Sequence, residues 1–164
     1  MLENSIVINT GPLISIVAAT GSLDILNQLY DNVYVPYEVR QEISNGVFRD
    51  FALKEFNEAS FLNKVNVPRK ISPFLSNVLD LGEASVIQMA LDQNIKTVCI
   101  DEKVGRRVAK LNNLLLTGSI GIMIKAKNNG YIHSMKNAIS GMNRKGIYLS
   151  ENIISFALNK AGEI

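Results

Sequence analysis

Residues Ile6, Val7 and Ile8 form an unbroken β-branched run and are followed at once by Asn9-Thr10-Gly11-Pro12. A strand that is apolar at every position is covered on both faces, as in a parallel sheet, whereas a half-exposed strand alternates. Pro12 fits the first turn of a helix, where a missing N–H costs nothing, and Thr10 is placed to cap that helix. Asn9 therefore falls at the carboxyl end of a buried strand. That is the edge on which open α/β sheets bind their ligands.

A second run of the same kind, residues 97–100, ends on Asp101, and shorter ones are expected at 33–35, 65–67 and 114–116. Between them the spacing of apolar residues predicts helices over 10–19, 23–30, 37–45, 48–61, 81–93, 102–111 and 119–130. Ser22 is expected to cap the second of these and Ser150 a last helix near the C-terminus, while Gly21 and Gly46 fit helix ends. Residues 68–73 read as a connector. With no internal repeat and no shift of composition, the 164 residues form a single domain. Strands alternating with helices give an α/β fold, a three-layer α/β/α sandwich with a mostly parallel central sheet.

Three acids occupy suggestive places. Asp101 follows a buried strand just as Asn9 does; Glu83 opens a helix; Glu42 lies in the helix after the second strand, one turn beyond Glu38. If strands 6–8 and 97–100 are neighbours, Asn9 and Asp101 leave the sheet on one edge, where Glu42 and Glu83 can join them. Clustered carboxylates repel unless a cation compensates them, and oxygen-rich sites suit Mg²⁺ or Mn²⁺. Such a metal can activate water and steady a phosphodiester under attack. Each acid also has a purely structural reading. Asp80 and Glu83 form an Asp-x-x-Glu capping box, Asp101 can cap the helix after it, Asn9 can serve as a turn residue and Glu42 can face solvent.

Lys103, Arg106, Arg107 and Lys110 recur at offsets of three, four and seven directly after Asp101, which puts them on one helix stripe. The stripe reads either as a seat for a nucleic-acid backbone or as a solvated helix face. The net charge of +2 permits a nucleic-acid partner without requiring one. Phosphate-binding glycine loops and a GxSxG elbow are absent from the sequence. Cys99, the only cysteine, lies in an apolar run and reads as a buried thiol, and His133 has no partner at ligand spacing. The apolar run 13–19 is far short of the roughly 18 residues of a membrane span, and no basic leader precedes it, so a soluble cytoplasmic protein is expected.

Taken together, Ile8-Asn9-Thr10-Gly11-Pro12-Leu13-Ile14, Val35-Pro36-Tyr37-Glu38-Val39-Arg40-Gln41-Glu42-Ile43, Leu81-Gly82-Glu83-Ala84, Ile100-Asp101-Glu102 with Arg106-Arg107-Val108-Ala109, and Leu116-Thr117-Gly118-Ser119-Ile120-Gly121 resemble the PIN domain, in order and over nearly the whole chain. The resemblance is to small prokaryotic PIN-like proteins related to the toxin ribonucleases of toxin–antitoxin systems. It implies a Rossmann-like PIN fold, a Mg²⁺- or Mn²⁺-dependent ribonuclease that hydrolyses single-stranded RNA, a homodimer and an antitoxin protein partner. Glu42, Glu83 and Asp101 match the second, third and fourth acids of the family, which hold the metal; Thr10, Thr117 and Ser119 match supporting polar positions. Asn9 stands where the first acid is expected. An amide oxygen can ligate a metal but carries no charge and accepts no proton, so the same resemblance admits a catalytically weak or inactive nucleic-acid-binding module.

Overall fold

The computed structural model describes residues 4–46 and 50–164. Its centre is β1 (Ser5–Ile8), whose three branched residues are completely buried. On one side β1 pairs in parallel with β2 (Asn32–Val35), which pairs in parallel with β3 (Leu62–Lys64); on the other it pairs with β4 (Thr97–Cys99), and β4 with β5 (Leu115–Thr117), again in parallel. The sheet order is β3-β2-β1-β4-β5. The register sets Ile8 opposite Cys99 and Cys99 opposite Thr117. Asn9, residues 100–101 and residues 118–119 thus leave the sheet on one edge. The expected neighbourhood of the first and fourth strands is present.

The first half of the chain supplies α1 (Thr10–Thr20), α2 (Asp24–Leu29), α3 (Tyr37–Ser44), α4 (Asp50–Glu58) and α5 (Pro73–Val78). The second half supplies α6 (Leu81–Asp92), α7 (Lys103–Leu111), α8 (Ser119–Asn128), α9 (Met135–Arg144) and α10 (Glu151–Lys160). They pack in two sets. Helices α4, α8 and α9 pack on α1, and α3, α5 and α7 pack on α6, and with the sheet between the two groups the fold is the expected α/β sandwich. Helix α1 ends where Gly21 takes a φ of 83°, a left-handed turn that glycine enters without steric cost. Gly141 on α9 lies so close to α1 that a Cβ there would meet the Ala18 carbonyl at 2.6 Å. Cys99 is fully buried in β4 and free of any disulfide, as its setting predicts.

Several local expectations need correction. The third strand is Leu62–Lys64, not 65–67: Leu62 supplies the buried side chain, while Val67 is exposed and only the Val65 N–H extends the ladder, to the Val35 carbonyl at 3.0 Å. The connector at 68–73 leads directly into α5, capped by the Ser72 hydroxyl. Phe48, at which the apolar spacing opens the fourth helix, lies outside the described residues. The Ser22 hydroxyl accepts from the Asp24 N–H at 3.2 Å, yet α2 starts one residue late, with Leu23 at its N-cap. Ser150 caps α10 as expected, accepting from the Ile153 N–H at 3.3 Å.

Candidate active site

The first group on the carboxyl edge forms around the β1–α1 junction. Asn9 is 7% exposed and its Oδ1 has no hydrogen-bond partner. Asn9, not Thr10, occupies the N-cap of α1. The Thr10 hydroxyl, already inside the first turn, instead donates to Oε2 of Glu42 at 2.6 Å. Glu42 is half-buried on α3 and does not simply face solvent. Burial raises its pKa, as does the charge of Asp80; the Thr10 hydroxyl and the Gly82 backbone pull the other way.

Glu83 is the second member. The Asp80 carboxylate caps α6 by accepting from the Glu83 N–H at 2.9 Å, so the predicted capping motif is present. Capping does not exhaust Glu83, whose side chain is 5% exposed with Oε1 lacking any partner. Burial pushes its carboxyl up to about 7, helped by the charges of Asp80 and Glu102. An ordinary surface glutamate would have none of these features.

Asp101 completes the edge from the other side of β1. It does not cap α7, where Glu102 holds the N-cap. Its Oδ1 accepts from the Ser119 N–H at 2.8 Å and its Oδ2 from the Ser119 hydroxyl at 3.0 Å. The start of α8 is therefore closed by an acid from the end of β4, and Ser119 is buried beneath it. Beside it, Arg106 Nη1 donates to the Ile100 carbonyl at 2.9 Å. Thr117 lines a depression next to Asp101.

Three glycines make room for these three acids, a device that the sequence did not disclose. A Cβ on Gly82 would lie 2.2 Å from Glu42 Oε1; one on Gly105 would lie 3.0 Å from Glu83 Oε1; one on Gly118 would lie 2.6 Å from Asp101 Oδ1. Each acid rests against the bare backbone of a different segment. Glu42 is thereby held against the start of α6, and Glu83 against α7.

Sequence reasoning also overlooked the electrostatic part of Asp80 and Glu102, and the burial of Glu38. Glu38 lies one turn before Glu42, with Oε1 unpartnered and Oε2 accepting from the Arg69 N–H at 3.3 Å. Only the one-turn spacing of two acids on α3 pointed to it. The basic stripe is in place: Lys103, Arg106, Arg107 and Lys110 line a single groove of about 500 Å³ that reaches Asp101. His133 is exposed.

The donor set is wholly oxygen, the chemistry that hard divalent cations select. Two buried oxygens without partners, on Asn9 and Glu83, are the kind of ligand a cation would satisfy. Among the described residues, no group of three or more His, Cys, Asp or Glu side chains is drawn tightly enough to hold a metal ion. The closed three-carboxylate cluster expected from the sequence is thus not preassembled. The residues fit a cation that takes one or two carboxylates and keeps water for its remaining positions, as Mg²⁺ ordinarily does.

Fold and edge together define an α/β domain with an acidic, oxygen-lined site at the carboxyl ends of a parallel sheet. The family model of the PIN domain matches residues 5–163, and the chain belongs to the PIN domain family. Membership points to nuclease or nucleic-acid-binding chemistry, and PIN domains generally use divalent metal ions. No curated protein gives a significant match to the chain. Among the described residues, no helix is long and apolar enough to cross a membrane.

Proposed function

We propose that the protein is a divalent-metal-dependent ribonuclease acting on single-stranded RNA, with the acids Glu42, Glu83 and Asp101 arrayed around Mg²⁺ or Mn²⁺, one or two as direct ligands and the rest through water, and Asn9 as a neutral ligand beside them. The observation that carries this reading is the pair of buried, unpartnered oxygens, Asn9 Oδ1 and Glu83 Oε1, on the edge that also holds Asp101. A bound cation supplies charge to polarise the phosphodiester and acidify a water. The chain's own groups do the rest. Ser119 fixes both oxygens of Asp101, so that carboxylate is oriented before any ligand arrives. Thr10 holds one oxygen of Glu42, Oε2. Glu83, lifted to about 7, holds or releases a proton on Oε1 near neutral pH. Lys103, Arg106, Arg107 and Lys110 form a positive groove that reaches Asp101 and would hold the RNA backbone.

Cleavage of a panel of single-stranded RNAs with Mn²⁺, Mg²⁺ or EDTA tests the reading, with Asp101→Asn alongside. We expect chelator-sensitive cleavage and a drop of about 100-fold or more in the variant, since even outer-shell changes around a metal cost roughly 10- to 100-fold. Equal rates in the two proteins would trace the activity to a contaminant. In a toxin–antitoxin pair the protein would be the toxin, a homodimer silenced by a protein antitoxin; growth arrest on expression, relieved by Asp101→Asn, tests that role.

A second reading has its own support. Asn9 brings no charge and the acids are not closed into a three-carboxylate group, while the basic groove is complete. A nucleic-acid-binding module with little or no turnover needs only the groove. RNA binding that survives EDTA, with no cleavage in either metal, would decide for it.

A further inference from the structure

Beside Asp101, adjoining the basic groove at Arg106, lies a cavity of about 430 Å³ with mostly apolar walls. Leu116 of β5 and Ile120 of α8 form one wall, and Ile153 and Phe156 of α10 the other. Phe156 is 54% exposed and Ile153 is 42% exposed, although Ala157 beside them is the one fully buried residue of that helix. Helix α10 thus docks through Ala157 and Leu158 and leaves Ile153 and Phe156 standing over the cavity. Packing alone would have turned them inward.

We propose that this cavity is a nucleobase subsite, in which Phe156 stacks on a base of the single-stranded RNA whose backbone lies along α7. The inference rests on the nucleic-acid reading above and adds to it where a base is held. Three observations select a base over another occupant. The cavity and the basic groove share Asp101 and Arg106 as lining residues, so backbone on one side and base on the other belong to one continuous surface. Cations flank the apolar walls: Arg106 lines the cavity, and Lys160 Nζ sits 5.9 Å from the centroid of the Phe156 ring. The volume suits one small planar group, whereas a protein partner covers a broad face. An aromatic ring beside a positive groove is the arrangement by which single strands are held with little sequence demand.

The chain contains no tryptophan, so Phe156→Trp places a single indole in the cavity and keeps a stacking surface. The indole emission of this variant is followed as a single-stranded oligoribonucleotide is added to the full-length protein in EDTA, which prevents cleavage. A labelled oligoribonucleotide and an abasic sugar–phosphate strand of equal length are titrated by anisotropy with the parent, Phe156→Trp and Phe156→Ala. We expect the indole to be quenched by the base-containing strand alone. Phe156→Ala should bind that strand about 5-fold or more weakly, the range of one lost stack, and bind the abasic strand as the parent does. Phe156→Trp should bind both strands as the parent does. If the oligoribonucleotide binds but the indole emission is unchanged and Phe156→Ala binds normally, the subsite is wrong while the nucleic-acid reading stands. Absence of binding to either strand at low salt overturns both. A change of emission with protein concentration alone, matched by dimer formation in sedimentation, gives the face to a second copy of the chain and overturns the subsite.

Discussion

The two sides of the carboxyl edge hold their acids in opposite ways. On the α3–α6 side, Glu83 is buried with one oxygen unpartnered and is lifted to about 7, and Glu42 is raised as well. On the α7–α8 side, Asp101 is exposed and both its oxygens accept from Ser119. The first side stores unfavourable charge that a cation or proton would relieve; the second is already satisfied without either. On the proposed reading, one half of the site waits for a ligand and the other orients it.

Gly118→Ala should break this contrast most severely. The backbone at Gly118 is extended and accepts alanine, but the new Cβ would lie 2.6 Å from Asp101 Oδ1 and 2.9 Å from Arg106 Nη1. Because Ser119 pins Asp101, the carboxylate cannot swing clear without losing its donors, and we expect cleavage to fall about 100-fold, as for loss of a supporting shell. Gly82→Ala meets only the end of the half-buried Glu42 side chain, and a helical alanine returns up to about 1 kcal/mol of helix propensity. Its melting temperature should stay near the parent's while activity falls less than in Gly118→Ala. Equal losses in the two variants would remove the distinction.

Asn9→Asp tests whether the waiting half lacks charge. We expect tighter Mn²⁺ or Mg²⁺ binding by calorimetry and a rate increase of about 10-fold, about one pKa unit's worth of interaction; no change in either would sink that account.

Glu83 gives a smaller effect with a definite sign. Its folded pKa of about 7 lies above its ordinary 4.5, so between those values the native state binds more protons than the unfolded chain, and stability falls as pH rises. The contribution is fully present below pH 4.5 and is lost as pH passes about 7. Glu83→Gln should melt with the parent near pH 4.5 and about 2 °C or more above it at about pH 8, given that about 1 kcal/mol shifts a domain of this size by about 2–4 °C. Added Mg²⁺ should narrow the gap at the higher pH by binding the charged carboxylate. Thermal scans at the two pH values check both statements, and a parent that gains stability relative to the variant as pH rises between them would refute them. The smallest change is Thr10→Val, which removes the 2.6 Å bond to Glu42 at a cost of about 1 kcal/mol and lifts the Glu42 pKa further in an NMR titration.

Much of this edge was legible because strand ends are legible. Asn9 and Asp101 each follow a run of buried branched residues, and parallel pairing of those runs was enough to bring them to one edge. The third strand misled because β-propensity favours the valines at 65 and 67, whereas an edge strand three residues long is fixed by the one side chain it buries, Leu62. The roles of Gly82, Gly105 and Gly118 were hidden for a different reason. A glycine needed for close approach looks like any other until the opposing side chain is known, and here each opposing carboxylate comes from another segment. The Ser119–Asp101 pair was hidden likewise, since eighteen residues separate donor from acceptor.

Cys99 has a practical consequence. It lies in β4 at full burial, one strand from the centre of the sheet, and its thiol is held well above its ordinary pKa by that burial and by the nearby charge of Asp101. A thiol reagent reaches it only when the central sheet opens, because the reactive thiolate neither forms nor meets solvent in the folded chain. The single cysteine is thus a built-in clock for global opening. Its labelling rate, read beside any of the substitutions above, separates damage to the acidic edge from damage to the fold.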